Sequence, residues 1–241
     1  MALALAFLVM PVVAIFTHTA PGQLISRLGD PAATDALRLS LETTAIAMVV
    51  VVLVGTPAAY LLATRSFPGR SVLITLVELP LVLPPAVAGI GLLAALGPEG
   101  ILGGVVGRAL VLDTAAVVVA LVFVSAPFYL RQAQSAFAAI DRSLLEAART
   151  LGSGEAASFS RVAVPVARPG LMAGLALAWG RALGEFGATL MFAGSFRGVT
   201  QTVPLAIYDQ FATDFPAALA LSAMLVAVSA GLLLAVKLVP G

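Results

Sequence analysis

The sequence predicts an all-α polytopic membrane protein with about six transmembrane helices. Two observations carry this: the composition and the continuity of the apolar runs. Of 241 residues, 61% are hydrophobic and 10% charged, against roughly a quarter charged in an ordinary soluble domain, and the mean hydropathy is +1.08. So much apolar surface cannot be hidden in a core of this size. That excludes a soluble enzyme, a nucleic-acid binder and a disordered chain. The net charge of +1 leaves no strongly charged partner surface, and with no cysteine there is no disulfide framework, thiol nucleophile or thiolate metal site. The apolar runs are continuous and rich in Ala, Leu and Val, whereas barrel strands alternate, so the spans are helices.

Each crossing needs about 20 apolar residues. Met1 to Thr19 forms the first span; it lacks the basic start and small-residue cleavage site of a secretory signal. The second runs from Thr43 to Thr64, with a start nearer Leu37, and Ser71 to Leu96 is the third. Thr114 to Leu130 is the fourth, with a polar extension towards Ile140; Gly170 to Phe192 is the fifth and Phe215 to Val236 the sixth. The predicted division is a first helix and outer loop over 1–36, then a five-helix core over 37–237.

Orientation follows Lys and Arg. Arg65, Arg70, Arg131, Arg142, Arg149, Arg161, Arg168 and Lys237 fall on one side, and Arg27, Arg38, Arg108 and Arg197 on the other. The excess puts both termini and the 131–168 loop in the cytoplasm, with the spans in the lipid bilayer.

That loop carries a short amphipathic helix over 141–152. Asp141 or Ser143 can cap it, Leu144, Leu145, Ala148 and Leu151 share helical spacing, and Gly152 suits a left-handed stop. A second turn-and-helix runs from Ser153 to Val164, closed by Pro165. In the fifth span Arg181 and Glu185 stand four residues apart, so they share a face and can pair. Ionisable groups at that depth face a bundle interior or an aqueous cavity. They either pin helices together or line a route on which Arg181 senses an oxyanion; Thr189 adds a hydroxyl towards the outer end. Gly180 and Gly184, continued by Ala188, form a stripe where another helix can approach. In the third span, Glu78-Leu79-Pro80 and Pro84-Pro85 interrupt the hydrogen-bond ladder, which predicts a bent helix beside the route. Trp179 and the lone His18 read as packing and interfacial residues.

Glu146-Ala147-Ala148, three residues, Gly152, nine residues and Val162-Ala163-Val164-Pro165 resemble the EAA loop of ABC importer permeases, with valines where isoleucine and leucine are usual. The resemblance implies that this helix is a coupling helix seated in a groove of an ATP-binding subunit. Glu146 would pair at the rim, Ala147, Ala148 and Leu151 would enter the groove, Gly152 would allow a sharp exit, and Pro165 would stiffen the return. Arg65-Ser66-Phe67-Pro68-Gly69-Arg70, Leu79 to Pro85 and Arg181 to Thr189, continuing through Met191-Phe192-Ala193-Gly194 to Tyr208, are similar to the molybdate permease branch. Gly97-Pro98-Glu99-Gly100 and Ser195-Phe196-Arg197 depart from its outer loops. The branch implies import of molybdate, or tungstate, by a homodimer with two ATP-binding subunits and an extracytoplasmic binding protein. ATP and magnesium would sit on the partner, since this chain has no Gly-x-x-x-x-Gly-Lys loop and binds no cofactor. A sulfate or thiosulfate permease is the alternative. An ion-coupled secondary transporter has only Glu78, Arg181 and Glu185 to work with and shows no inverted repeat, and an intramembrane serine protease lacks a mid-span His or Lys.

Overall fold

A computed structural model describes residues 2–18, 22, 29–107 and 110–238, all helix and connection with no strand among them. Arg27, Arg108 and the first span's ends at Met1 and Thr19 lie outside these residues. The helices are α1 (Ala2–Thr17), α2 (Pro31–Thr64), α3 (Arg70–Val82), α4 (Pro85–Leu96), α5 (Thr114–Ala138), α6 (Arg142–Thr150), α7 (Glu155–Ser158), α8 (Val164–Leu183), α9 (Gly187–Ala193), α10 (Val203–Phe211) and α11 (Phe215–Leu238).

Four helical stretches are long and apolar enough to cross a membrane: α2, α5, the 29-residue rod Glu155–Leu183 and α11. The pair α3–α4 makes a fifth when taken as one broken crossing. The 16 residues of α1 reach about 24 Å, short of the roughly 30 Å hydrocarbon core; α1 rests against α11.

The second span starts well before Thr43. Asp30 caps α2 through Ala32 N–H, which donates to Oδ1 at 2.9 Å, and Pro31 occupies the first turn, where its missing N–H costs nothing. Asp35, Arg38 and Glu42 do not stop the helix, because Arg38 Nε donates to Glu42 Oε1 at 2.6 Å on the exposed face while Ala36, Leu39 and Thr43 turn inward. Arg38 therefore belongs to α2 and not to a connection, and the boundary expected at 36/37 falls inside this helix.

Helices α2 and α5 run parallel. Their last turns meet at Tyr60 and Phe137, ring centroids 5.3 Å apart, and a turn or two earlier Thr56 Oγ1 lies 2.6 Å from Tyr129 Oη. Gly55 makes this contact possible, since a Cβ there would come within 2.9 Å of the Tyr129 ring. The rod packs antiparallel to α5, with Gly170 against Ala136 and Gly174 against Gln132. Chain direction then fixes two ends. Arg65, the C-terminus of α5, α6 and Glu155 gather at one; Asp30, Thr114 and residues 194–214 gather at the other, where Thr114 Oγ1 donates to Val199 O at 2.8 Å.

Two boundaries lie elsewhere than the sequence predicts. Pro165 does not close a helix: Glu155–Leu183 continues through it. The π turn Phe159–Ala163, whose widened ring has Val164 N–H donating to Phe159 O, sits immediately before Pro165 and absorbs the missing donor. The fifth span ends at Leu183 instead of Phe192, because Gly184 leaves the helix and Phe186 takes φ −128°.

Candidate functional site

At the Arg65 end, α6 forms as the loop sequence dictates. Ser143 N–H donates to Asp141 Oδ1 at 2.9 Å, so Asp141 is the cap, and this bond holds its carboxyl below the usual aspartate range. Gly152 takes φ +85°. Its N–H donates to Arg149 O at 2.9 Å and Ser153 N–H to Ala148 O at 3.0 Å, a left-handed termination that satisfies the last carbonyls. Of the apolar positions only Leu145 turns inward; Leu144 is 46% and Leu151 88% exposed. Glu146 and Ala147 are exposed and Ala148 is half-buried. Glu146, Arg142 and Arg149 make no ion pair among the described residues.

Behind α6 lies a cavity of about 320 Å³ between the last turns of α2 and α5, lined among others by Tyr60, Thr64, Phe137, Leu145, Glu146 and Arg149. Two of its lining rings, Tyr60 and Phe137, pack with Phe159, first residue of the π turn, at 4.9 Å and 6.2 Å. Arg65 and Glu155 form an ion pair beside it. No short-range motif marks this cluster, because its members come from three distant segments. α6 thus rests on the head of the rod, touching α7 and the π turn. Pro165 is exposed on the rod just past that turn.

The second constellation is the break at Gly184–Phe186. Gly174 packs on Gln132, and Glu185 lies eleven residues beyond it on the chain, about 16 Å at helical rise, against about 27 Å from Gln132 to Thr114 along α5. The break therefore sits within the apolar length of the bundle. Glu185 is 2% exposed. Its Oε1 accepts Ala188 N–H at 2.6 Å and its Oε2 faces Arg181 Nη2 at 2.5 Å. Arg181 is 27% exposed along its side chain. Thr189 is fully buried, and its hydroxyl has no hydrogen-bond partner among the described residues.

The third span's break meets this one. Leu83 is extended (ψ 131°) and Pro84 precedes α4, as the residue before a proline requires, and α3 and α4 are bent by 119°. This is a broken segment, far beyond a kink. Pro84 and Pro85 are exposed, and Pro85 Cβ would lie 2.8 Å from a Cβ on Gly187. One turn on, a Cβ on Gly89 would reach 2.6 Å from Ala188 O. The close approach thus falls on Gly89 and Gly187. Gly180 and Gly184 have nothing nearer than 3.8 Å, and the stripe expected to run on to Ala188 is cut by the break. Glu78 faces Arg131 on α5 at 3.8 Å.

Long apolar crossings, a polar helix in the connection between two of them and two broken segments that meet at Pro85 and Gly187 are the parts of a membrane transport component. The chain belongs to the family of binding-protein-dependent transport system inner membrane components, which matches residues 52–240. It is 43% identical over 235 residues to the molybdenum transport system permease protein ModB of Mycobacterium tuberculosis, covering 95% of this chain and 88% of that one. It is 35% identical over 192 residues to the molybdate/tungstate transport system permease protein WtpB of Thermococcus kodakarensis, covering 78% and 73%. Its fold matches, with TM-score 0.72 at 16% identity over 96% of this chain and 88% of the other, a chain in the crystal structure of a bacterial alginate ABC transporter in complex with an alginate pentasaccharide-bound periplasmic protein.

Proposed function

We propose that this chain is the permease subunit of an ATP-driven importer of molybdate or tungstate, working as a homodimer with two ATP-binding subunits and an extracytoplasmic binding protein. The similarity to permeases named for molybdenum and for molybdate/tungstate, at 43% and 35% identity, carries the choice of substrate over sulfate. A relative of the same fold complexed with a periplasmic protein supports the binding-protein partner. ATP and magnesium belong to the ATP-binding subunits.

In this reading α6 is the coupling helix, with Leu144 and Leu151 seated in the partner's groove and Glu146 pairing at its rim. The supporting observation is that α6 buries Leu145 and leaves Leu144 and Leu151 exposed, while Glu146, though it lines the cavity behind the helix, is exposed and has no ion pair among the described residues. Work done on α6 then passes through α7 and the π turn into Glu155–Leu183 and reaches the Gly184–Phe186 break, where Arg181, Glu185, Thr189, Pro84 and Pro85 form the gate. The Arg65 end faces the cytoplasm, as the excess of arginines there favours, and both termini lie on that side.

Proteoliposomes holding the assembled complex test this. Molybdate uptake should require ATP and the binding protein, tungstate should compete at equal concentration, and sulfate should not. Glu146→Lys should abolish ATP-driven uptake while membrane insertion stays normal; wild-type uptake in that variant overturns the coupling role.

A further inference from the structure

We infer that Glu185 is a positioning residue acting as an internal counter-anion: its carboxylate bridges Arg181 and the Ala188 N–H across the Gly184–Phe186 break, and the transported oxyanion must displace it from Arg181 before the break opens. This rests on the transport reading above and adds what holds the gate shut.

A carboxylate buried inside an apolar bundle is costly unless it is paired, and Glu185 has one contact on each side of the interruption: a hydrogen bond at Oε1, and at Oε2 an ion-pair contact with Arg181 that is not a formed hydrogen bond. Oε2 meets Arg181, the cation at the end of α8, and Oε1 takes Ala188 N–H in the first turn of α9. The bridge therefore closes the gap that Gly184 opens in the rod. The next residue has its own contact: Phe186 packs at a tilt against Tyr208 of α10, centroids 5.0 Å apart, and Tyr208 is 61% exposed. Helix α9 is seated on α4 by backbone contact at Gly89 and Gly187, so it moves with the second broken span or not at all. Arg181 has no other anion: the remaining ion pairs among the described residues use Arg38, Arg65, Arg131 and Arg197. A tetrahedral dianion entering the bundle meets a guanidinium whose forked donors suit it, already occupied by a monoanion. Exchange of Glu185 for the dianion leaves Arg181 satisfied, frees the carboxylate and unties α9 from α8.

The test is ATP hydrolysis by the assembled complex in proteoliposomes, with wild type, Glu185→Gln, Glu185→Ala and the double variant Arg181→Gln/Glu185→Gln. Gln keeps an acceptor for Ala188 N–H and loses the charge. Hydrolysis by Glu185→Gln without the binding protein should rise about tenfold, the lower end of the coupling between close charge pairs. Free molybdate, again without the binding protein, should stimulate it further, and this response should vanish in the double variant. A purely structural Glu185 would give lower thermal stability in the Ala variant and no molybdate response in any. If Gln blocks assembly, Arg181→Lys, which weakens the bridge, must raise basal hydrolysis. A wild-type basal rate in Glu185→Gln or Arg181→Lys, or a molybdate response retained in the double variant, overturns the latch while wild-type uptake stays intact. Loss of ATP- and binding-protein-dependent uptake in the wild type overturns the transport reading and the latch together.

Discussion

Gly152 is the residue on which the end of α6 turns. Nothing lies within 4 Å of a Cβ built there, yet its φ of +85° is a conformation that disfavours any side chain by about 1–2 kcal/mol. Gly152→Ala should therefore destabilise the termination by that amount, with the Ser153-to-Ala148 bond lost first, read as raised hydrogen exchange at residues 151–153. At the other end of α6, Asp141 is held ionised by the Ser143 N–H. Its folded pKa is lowered, so its stabilisation is complete above the ordinary aspartate value and is lost as pH falls through the lower folded one. A spin label at residue 149 should become more mobile on acidification below that ordinary value in the wild type. In Asp141→Ala it should be mobile already at neutral pH and insensitive to acid.

At the level of elements, the consequential contact is α4 on α9. Gly89 faces the Ala188 carbonyl, a backbone atom that no rotamer change can move aside, whereas Gly91 on the same helix has nothing within 4 Å. Gly89→Ala should cost about 1–3 kcal/mol through overpacking, and Gly91→Ala should be neutral or slightly stabilising because it only raises helix propensity. Thermal unfolding of the detergent-purified complex separates the two. Helix α6 was legible from local chemistry, because Asp141 and Gly152 act within a few residues of themselves; the start of α2 was not, because Asp35, Arg38 and Glu42 break the apolar run while the helix continues back to Pro31. Nor was the end of the fifth span. Residues 184–192 are as apolar as a span interior, and only the Glu185 bridge and the seat of α9 on α4 show that the rod stops at Leu183.

On the scale of the whole molecule, the two ends of the bundle give a topology test that the composition makes simple. With no native cysteine, single cysteines can be placed freely. In right-side-out vesicles an impermeant thiol reagent should label a cysteine at exposed Val199 and spare one at exposed Leu151 until the membrane is permeabilised. The reverse pattern would invert the orientation and remove α6 from the reach of any cytosolic partner. The α3–α4 pair belongs to this scale too. Its prolines announce an interruption, but an angle of 119° arises only because α3 lies on α5 while α4 is drawn to α9.

The sequence by itself determined that the chain is a multi-span helical membrane protein, where the loop helix begins and ends, and that Arg181 and Glu185 form a pair. Each of these rests on interactions no longer than a helical turn or on the sum of apolar area. Only the tertiary structure decided where the fifth crossing breaks, that this break meets the Pro84–Pro85 break, and that Tyr60, Phe137 and Phe159 join α2 and α5 to the rod. Those contacts bring together residues from 22 positions apart, Phe137 and Phe159, to 102 apart, Pro85 and Gly187, and local propensity and periodicity carry no information about which distant apolar surface a segment will choose.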